Sequence, residues 1–256
     1  MRLKLKFSLV GALALAAVLT GCAAGPHPVV DDAKLRAVHT VTVVYPGQAV
    51  YESGTASGPI LIPVGGVVAA AITGAVTGGV NASVSKAPAT FNDIVSTKLG
   101  DTKLNRRFTD GIEADLRSHG YVVKEVDSSA PSLPVFMRDD YALLHASGPA
   151  YRDSDAVLVI RLSPQYFAPG PLNSFRRMVV GEIVMFKGDT HEPLLRQRVY
   201  SETFSDPYSY MTFDSLLKDL PHAISGLDDS VMAQVAFFDK ALDAAQHKTG
   251  DMGTAQ

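Results

Sequence analysis

Nine consecutive residues, Asp155-Ala-Val-Leu-Val-Ile-Arg-Leu-Ser163, do most to limit what this chain can fold into. A strand with one wet face alternates apolar and polar residues, whereas a nearly unbroken apolar run needs cover on both faces. The run therefore reads as a central strand with other parts of the chain packed above and below it. Two more strands follow, Met178–Lys187 and Leu194–Phe204. Lys187-Gly188-Asp189 begins the turn between them, so they read as an antiparallel hairpin. Val38–Tyr45, closed by Pro46-Gly47, and Tyr121–Val126 bring the expected sheet to about five strands.

Helical spacing supplies the cover. Leu104, Phe108, Ile112 and Leu116 share one face of a helix over Lys103–His119, and Gly120 ends it at no steric cost. Phe91, Ile94, Val95 and Leu99 mark a shorter helix before it, stopped by Gly100-Asp101-Thr102. Met137–Ala146 reads as another, begun by Arg138-Asp139-Asp140. A long amphipathic helix then runs through Leu216, Leu220, Ile224, Leu227, Val231, Val235, Phe238 and Leu242, begun or kinked at Pro221. The expected class is α/β, an α+β sandwich whose mixed sheet is packed by amphipathic helices. One domain covers residues 38–246, with a polar tail at 247–256.

The amino terminus has a different character. Arg2, Lys4 and Lys6 precede an uncharged apolar run, Phe7–Val18, too short for a stable membrane span. Leu19-Thr20-Gly21-Cys22 follows, and it resembles the lipobox of bacterial lipoproteins. The resemblance implies a signal peptide at 1–21, cleavage before Cys22 and diacylglycerol on its sulfur. Residues 22–37, with Gly25, Pro26 and Pro28, then read as a tether. Ala23, where such lipoproteins retained at the inner membrane favour aspartate, implies the outer membrane. Cys22 is the chain's single cysteine, so its lipidation leaves no thiol for a disulfide, a metal or a nucleophile. Loss of three basic residues with the signal takes the formal charge from −3 to about −6. No basic stripe exists to neutralise phosphates, which argues against nucleic acid as a partner.

Between Ser53 and Ser85 there is no charged residue. Gly66, Ala70, Gly74 and Gly78 recur every four positions, beside Ala71, Ala75 and Gly79. On a helix these would form a groove of small residues that lets two backbones approach closely. The segment reads as a membrane-inserted or self-associating helix, a buried helix or hairpin, or a Gly-rich loop, and the pattern leaves all three open.

Signals for catalysis are weak. Ser83-x-x-Lys86 and Lys248-Thr249-Gly250 match two motifs of penicillin-binding enzymes, but the second lies at the end of a helix rather than on a strand. The histidines are scattered, and Pro193 stops His191-Glu192 from continuing into a helical zinc motif. Asp139-Asp140 and Asp228-Asp229 read as solvated charge on helix surfaces, and His119 as the complement of a helix C-terminus. No catalytic residue, metal ligand or cofactor site is assigned. Two Pro- and aromatic-rich stretches, Pro164–Phe175 and Asp206–Phe213, offer Tyr166, Phe167, Phe175, Tyr208 and Tyr210 as anchors for a partner. The same residues could instead fold back as a satellite core, and both arrangements stay open.

Phe108-Thr-Asp-Gly-Ile-Glu-Ala-Asp-Leu116, Gly120-Tyr-Val-Val123 and Asp155-Ala-Val-Leu-Val159 resemble a helix running into a strand and a later "Asp-Ala" strand of an envelope lipoprotein group. That group holds the amino-terminal domain of the Tol-Pal translocation protein, the curli secretion lipoprotein and the lipoprotein activators of penicillin-binding proteins. The likeness spans roughly residues 38–245 and rests mainly on element order. It implies a non-enzymatic, lipid-anchored periplasmic protein that binds another component of an assembly, transport or secretion machine. The alternatives are a membrane-associated homo-oligomer joined by its Gly-rich segments and, further off, an envelope hydrolase.

Overall fold

The computed structural model describes residues 29–56, 58–59, 89–170, 172–203 and 207–247. In chain order, β1 (Val29–Val30), α1 (Asp32–Leu35) and β2 (Thr40–Tyr45) precede two short strands, β3 (Glu52–Thr55) and β4 (Gly58–Pro59). Helices α2 (Phe91–Leu99) and α3 (Leu104–Ser118) lead to β5 (Val122–Asp127) and a hairpin, β6 (Val135–Arg138) and β7 (Leu144–Ser147). Then come β8 (Ala156–Ala168), β9 (Arg176–Lys187), β10 (Pro193–Thr203), α4 (Phe213–Lys218) and α5 (Leu220–His247).

The main sheet runs β1-β10-β9-β8-β2-β5, and its long strands are the five expected ones. It is mixed. β2 lies parallel to both β5 and β8, while β8, β9 and β10 form an antiparallel meander. β8 is long enough to serve two neighbours on one side, β2 along Ala156–Val159 and β3 along Gln165–Ala168. Pro164 falls between them, where that side of β8 has no strand to lose a hydrogen bond to.

Alternation sorts the sheet residues between two cores. Val41, Val43, Ala156, Leu158, Ile160, Ile183 and Met185 face the helices. Leu104, Phe108, Ile112 and Leu116 meet them from α3, and Leu227, Val231, Phe238 and Leu242 from α5, as their spacing predicts. The two helices approach closely at Gly111, where a Cβ would stand 3.2 Å from the methyls of Val235. Val44, Val157, Val159, Val184 and Phe186 face the other way and pack with Leu144 and Tyr151. Ala156–Ile160 is thus covered on both faces, by helices on one and by the β6–β7 hairpin on the other, while Arg161 is exposed.

Three expectations need correction. Met137–Ala146 is not a helix: the Asp139 carboxylate accepts from Tyr141 N–H (2.9 Å) and Leu143 N–H (2.8 Å), which closes the turn of the β6–β7 hairpin. A short acidic side chain that bonds the backbone just ahead of it favours a turn over a helix. The stretch read as a tether to residue 37 joins the fold earlier, since Val29–Val30 pairs with β10 and Leu35 is buried. Asp228 is not a solvated surface charge but a buried one, described below. The Gly-rich segment begins within β3 and β4, while Gly66, Ala70, Gly74 and Gly78 lie outside the described residues, as does Cys22. Among the described residues no helix is long and apolar enough to cross a membrane.

Asp155 fixes the start of the parallel pair. Its Oδ2 accepts from His39 N–H (2.9 Å) and Thr40 N–H (2.8 Å), and its own N–H donates to Thr40 Oγ1 (2.8 Å). The acid of the "Asp-Ala" motif therefore ties β2 to β8 at their first residues. Those backbone donors, His39 first, hold its carboxyl below the ordinary value of 3.8. A depressed carboxylate stabilises the fold fully above the unfolded pKa and loses that effect as pH falls through the folded pKa. Asp155→Ala should cost about 1–2 kcal/mol at neutral pH. In urea titrations across pH, the gap between variant and wild type should close below 3.8.

Candidate functional site

β8, β9 and β10 are longer than the hairpin that covers them, and the remainder that no other described element covers is the most distinctive surface of the fold. The cover is held by one buried ion pair. Arg196 Nη1 donates to Glu182 Oε2 in a short contact, and Arg196 Nη2 donates to Leu144 O (2.6 Å). Glu182 Oε1 accepts from Leu144 N–H (2.7 Å), so both main-chain groups at the start of β7 are satisfied by the pair. Glu182 and Arg196 are 3% and 9% exposed at their side chains, which makes this a dry clamp rather than a surface contact. Ladder register sets Glu182 opposite Arg198, yet it bonds Arg196, the diagonal neighbour that also reaches the hairpin.

Beyond the clamp the sheet face opens. Ser163, Val180, Gly181, Arg198 and Tyr200 line a hollow of about 630 Å³, with Arg138 and Ala142 of the hairpin at its near end. Gly181 forms its floor, with φ +147° and the carbonyl oxygen of Arg161 only 1.9 Å from where a Cβ would stand. Any other residue there would push β8 and β9 apart. Along the open half, Arg161 and Arg198 are exposed and Met178 and Val180 half-buried, while Tyr200 is 66% exposed. Ser163 Oγ donates to Glu52 Oε2 (2.9 Å) at the far side, and Arg176 pairs with Glu202 (3.1 Å). The surface mixes aromatic, aliphatic and charged groups, with cations and anions on both flanks.

The aromatic candidates lie elsewhere, and most turn inward. Tyr166 is fully buried and donates to Ala223 O (3.1 Å); its ring meets Tyr210 edge-on at 5.5 Å. Phe175 and Tyr210 pair through their main chains (2.7 and 3.0 Å), and Phe175 packs on Phe213 at 5.9 Å. Tyr208 is half-buried between the Arg177 guanidinium, 4.0 Å from its centroid, and His222 at 4.5 Å. Its ring lies against Gly226, where a Cβ would come within 2.4 Å of it. These four form a seam between the strand-connecting loops and α5. Phe167 alone opens onto a groove, about 520 Å³, with Tyr51, Ser53, Phe91 and Gln165. That groove lies where β3 and β4 lead into residues 60–88 and α2 follows them.

One polar cluster joins α5 to the rest. Asp228 Oδ1 accepts from Tyr51 Oη (2.6 Å), and Oδ2 accepts from Arg107 Nη2 (2.5 Å). Tyr51 Oη also lies 2.7 Å from Thr102 Oγ1. Burial pushes the Asp228 carboxyl up, while Tyr51 and Arg107 pull it down. Burial likewise raises the Tyr51 phenol, which remains a donor to that carboxylate. The three side chains come from the β2–β3 connection, α3 and α5, so the cluster ties these elements together beside the groove that Tyr51 helps to line.

Sequence reasoning missed the clamp and this tie. Half of the signal for the clamp was present: Glu182 is the lone acid in Arg176–Lys187 and breaks an apolar run, whereas Arg196 stands in the polar triplet Arg196-Gln197-Arg198 and gives no such sign. Among the described residues no group of three or more His, Cys, Asp or Glu side chains could hold a metal ion. No protein-family model and no curated protein matches the chain.

The clamp makes a specific prediction. Glu182→Leu strands the Arg196 charge and should cost about 3–5 kcal/mol in urea unfolding. Glu182→Leu/Arg196→Met should cost less than the sum of the single changes, with a coupling of about 1–3 kcal/mol. Additive costs would mean that the two charges do not act as a pair.

Proposed function

We propose that this chain is a lipid-anchored protein of the bacterial envelope whose folded part binds another envelope component on the periplasmic side of the outer membrane. The anchor rests on Leu19-Thr20-Gly21-Cys22 and the apolar run before it. The binding role rests on one structural observation, the uncovered half of β8, β9 and β10 with its hollow beside Tyr200. Sheet faces of this size are ordinarily covered, and an exposed patch rimmed by charge is the usual form of a protein-binding surface. Arg161, Arg198 and Glu52 would orient a partner, and Met178, Val180 and Tyr200 would supply its apolar contact. The lipid holds the domain near the membrane, so a modest affinity suffices for a partner confined to the same layer.

Two measurements test the two halves of this reading. Wild-type protein should take up labelled fatty acid and enter the detergent phase, while Cys22→Ser should do neither, because oxygen cannot replace sulfur as the lipid acceptor. A photo-cross-linking residue in place of Met178 or Arg161 should give one discrete envelope adduct in cells. The same probe in place of Ser225, exposed on α5, should give none. Equal labelling from both faces would remove the open sheet as the binding surface, and a free thiol on soluble wild-type protein would remove the anchor.

A further inference from the structure

The two edges of the main sheet are finished differently. β5, at one end, presents Lys124, Glu125 and Asp127, and Lys124 Nζ is held by Asp153 O (2.7 Å). Charges of this kind keep an edge from pairing with another strand. At the other end, among the described residues, β1 pairs with Leu195 and Arg196 of β10. From Gln197 to Thr203, β10 has β9 on one side and no strand among the described residues on the other.

The backbone direction along that edge follows from β1. Asp31 N–H donates to Leu194 O (2.9 Å) and Val29 lies opposite Arg196, so Arg196 turns its main-chain groups toward β1. Alternation then turns the N–H and C=O of Arg198, Tyr200 and Glu202 outward along the same edge. Tyr200 is the midpoint of Gln197–Thr203, the part of this edge that no described strand pairs with. We propose that this edge pairs with the same edge of a second copy of the chain, antiparallel and about a two-fold axis at Tyr200.

The residues are complementary to themselves in that register. Tyr200 meets Tyr200, and Arg198 of each copy meets Glu202 of the other, twice, on the open face. On the helix side Val199 meets Ser201. Arg198 is exposed and has no ion-pair partner among the described residues. Glu202 accepts from Arg176 and from Tyr200 Oη (3.1 Å each), which leaves its carboxylate room for a further donor. A shift by two residues would set Arg198 against Tyr200 and lose both charge pairs. The interface is isologous, so it closes as a dimer and does not propagate into a fibre. It joins the two open half-faces into one surface.

The test uses the full chain extracted in detergent. Sedimentation should show a dimer at micromolar concentration, and Arg198→Glu should weaken it about tenfold or more, since like charges then face each other twice. Tyr200→Pro should give a monomer with an unchanged melting temperature, because the N–H it removes faces outward and not toward β9. In a hydrogen-bonded antiparallel pair the facing Cα atoms stand about 5.5 Å apart, within reach of a disulfide. Tyr200→Cys should therefore bridge to itself on oxidation, as mapped by mass spectrometry. Glu202→Cys should bridge only when mixed with Arg198→Cys. A monomeric wild-type chain overturns the proposal. So does a dimer that survives both Arg198→Glu and Tyr200→Pro, or a Tyr200→Cys chain that bridges to a different protein.

Discussion

A carboxylate and a guanidinium buried against the backbone of Leu144 decide how this sheet is dressed. Charges cannot stay in a dry interior without partners, so Glu182 and Arg196 have to meet each other and something more. The something more is the start of β7, whose main-chain donor and acceptor complete both side chains. Fixing β7 fixes the hairpin, and fixing the hairpin fixes where cover ends on β8, β9 and β10. Val157, Val159, Val184 and Phe186 lie beneath the cover, while Arg161, Val180 and Tyr200 lie beyond it.

The helical side follows another rule. There the sheet meets a continuous apolar layer, and close approach sets the packing together with two polar ties. Gly111 admits Val235, and Gly226 admits the ring of Tyr208. Arg177 stacks on that ring and donates to Gly226 O (2.8 Å), so the loop before α4 is tied to α5 at one point. Tyr51, Arg107 and Asp228 provide a second tie, between α3, α5 and the connection that leads to β3. Among the described residues, one face of the sheet is therefore closed by helices and the other is covered over only part of its length. This difference leaves Arg161, Arg198 and Tyr200 exposed on the second face.

Much of this was legible residue by residue. The spacing from Leu216 to Leu242 named the buried stripe of α4 and α5, and Leu104, Phe108, Ile112 and Leu116 named that of α3. The nearly unbroken run at Asp155–Ser163 announced cover on both faces, which holds for Ala156–Ile160, without saying what the second cover was. It is the segment read as a helix from Met137 to Ala146. Helix and strand signals are weak over so short a stretch, and there the Asp139 side chain bonds its own turn. Tyr166, Phe175 and Tyr210 were legible as an aromatic group but not as an inward-facing one, because exposure is not encoded in composition.

The sequence by itself determined the five long strands, the helix faces, the class of fold and the candidate lipid acceptor at Cys22, because each is written in local periodicity or in a short contiguous motif. Tertiary structure alone decided which charges are buried, where the hairpin stops and which strand edge is left unpaired among the described residues. Those depend on residues far apart in the chain, as Glu182 and Arg196 are from Leu144, and Asp228 is from Tyr51. A local pattern cannot contain them, since the same glutamate in the same strand would be solvated wherever no hairpin arrived to cover it.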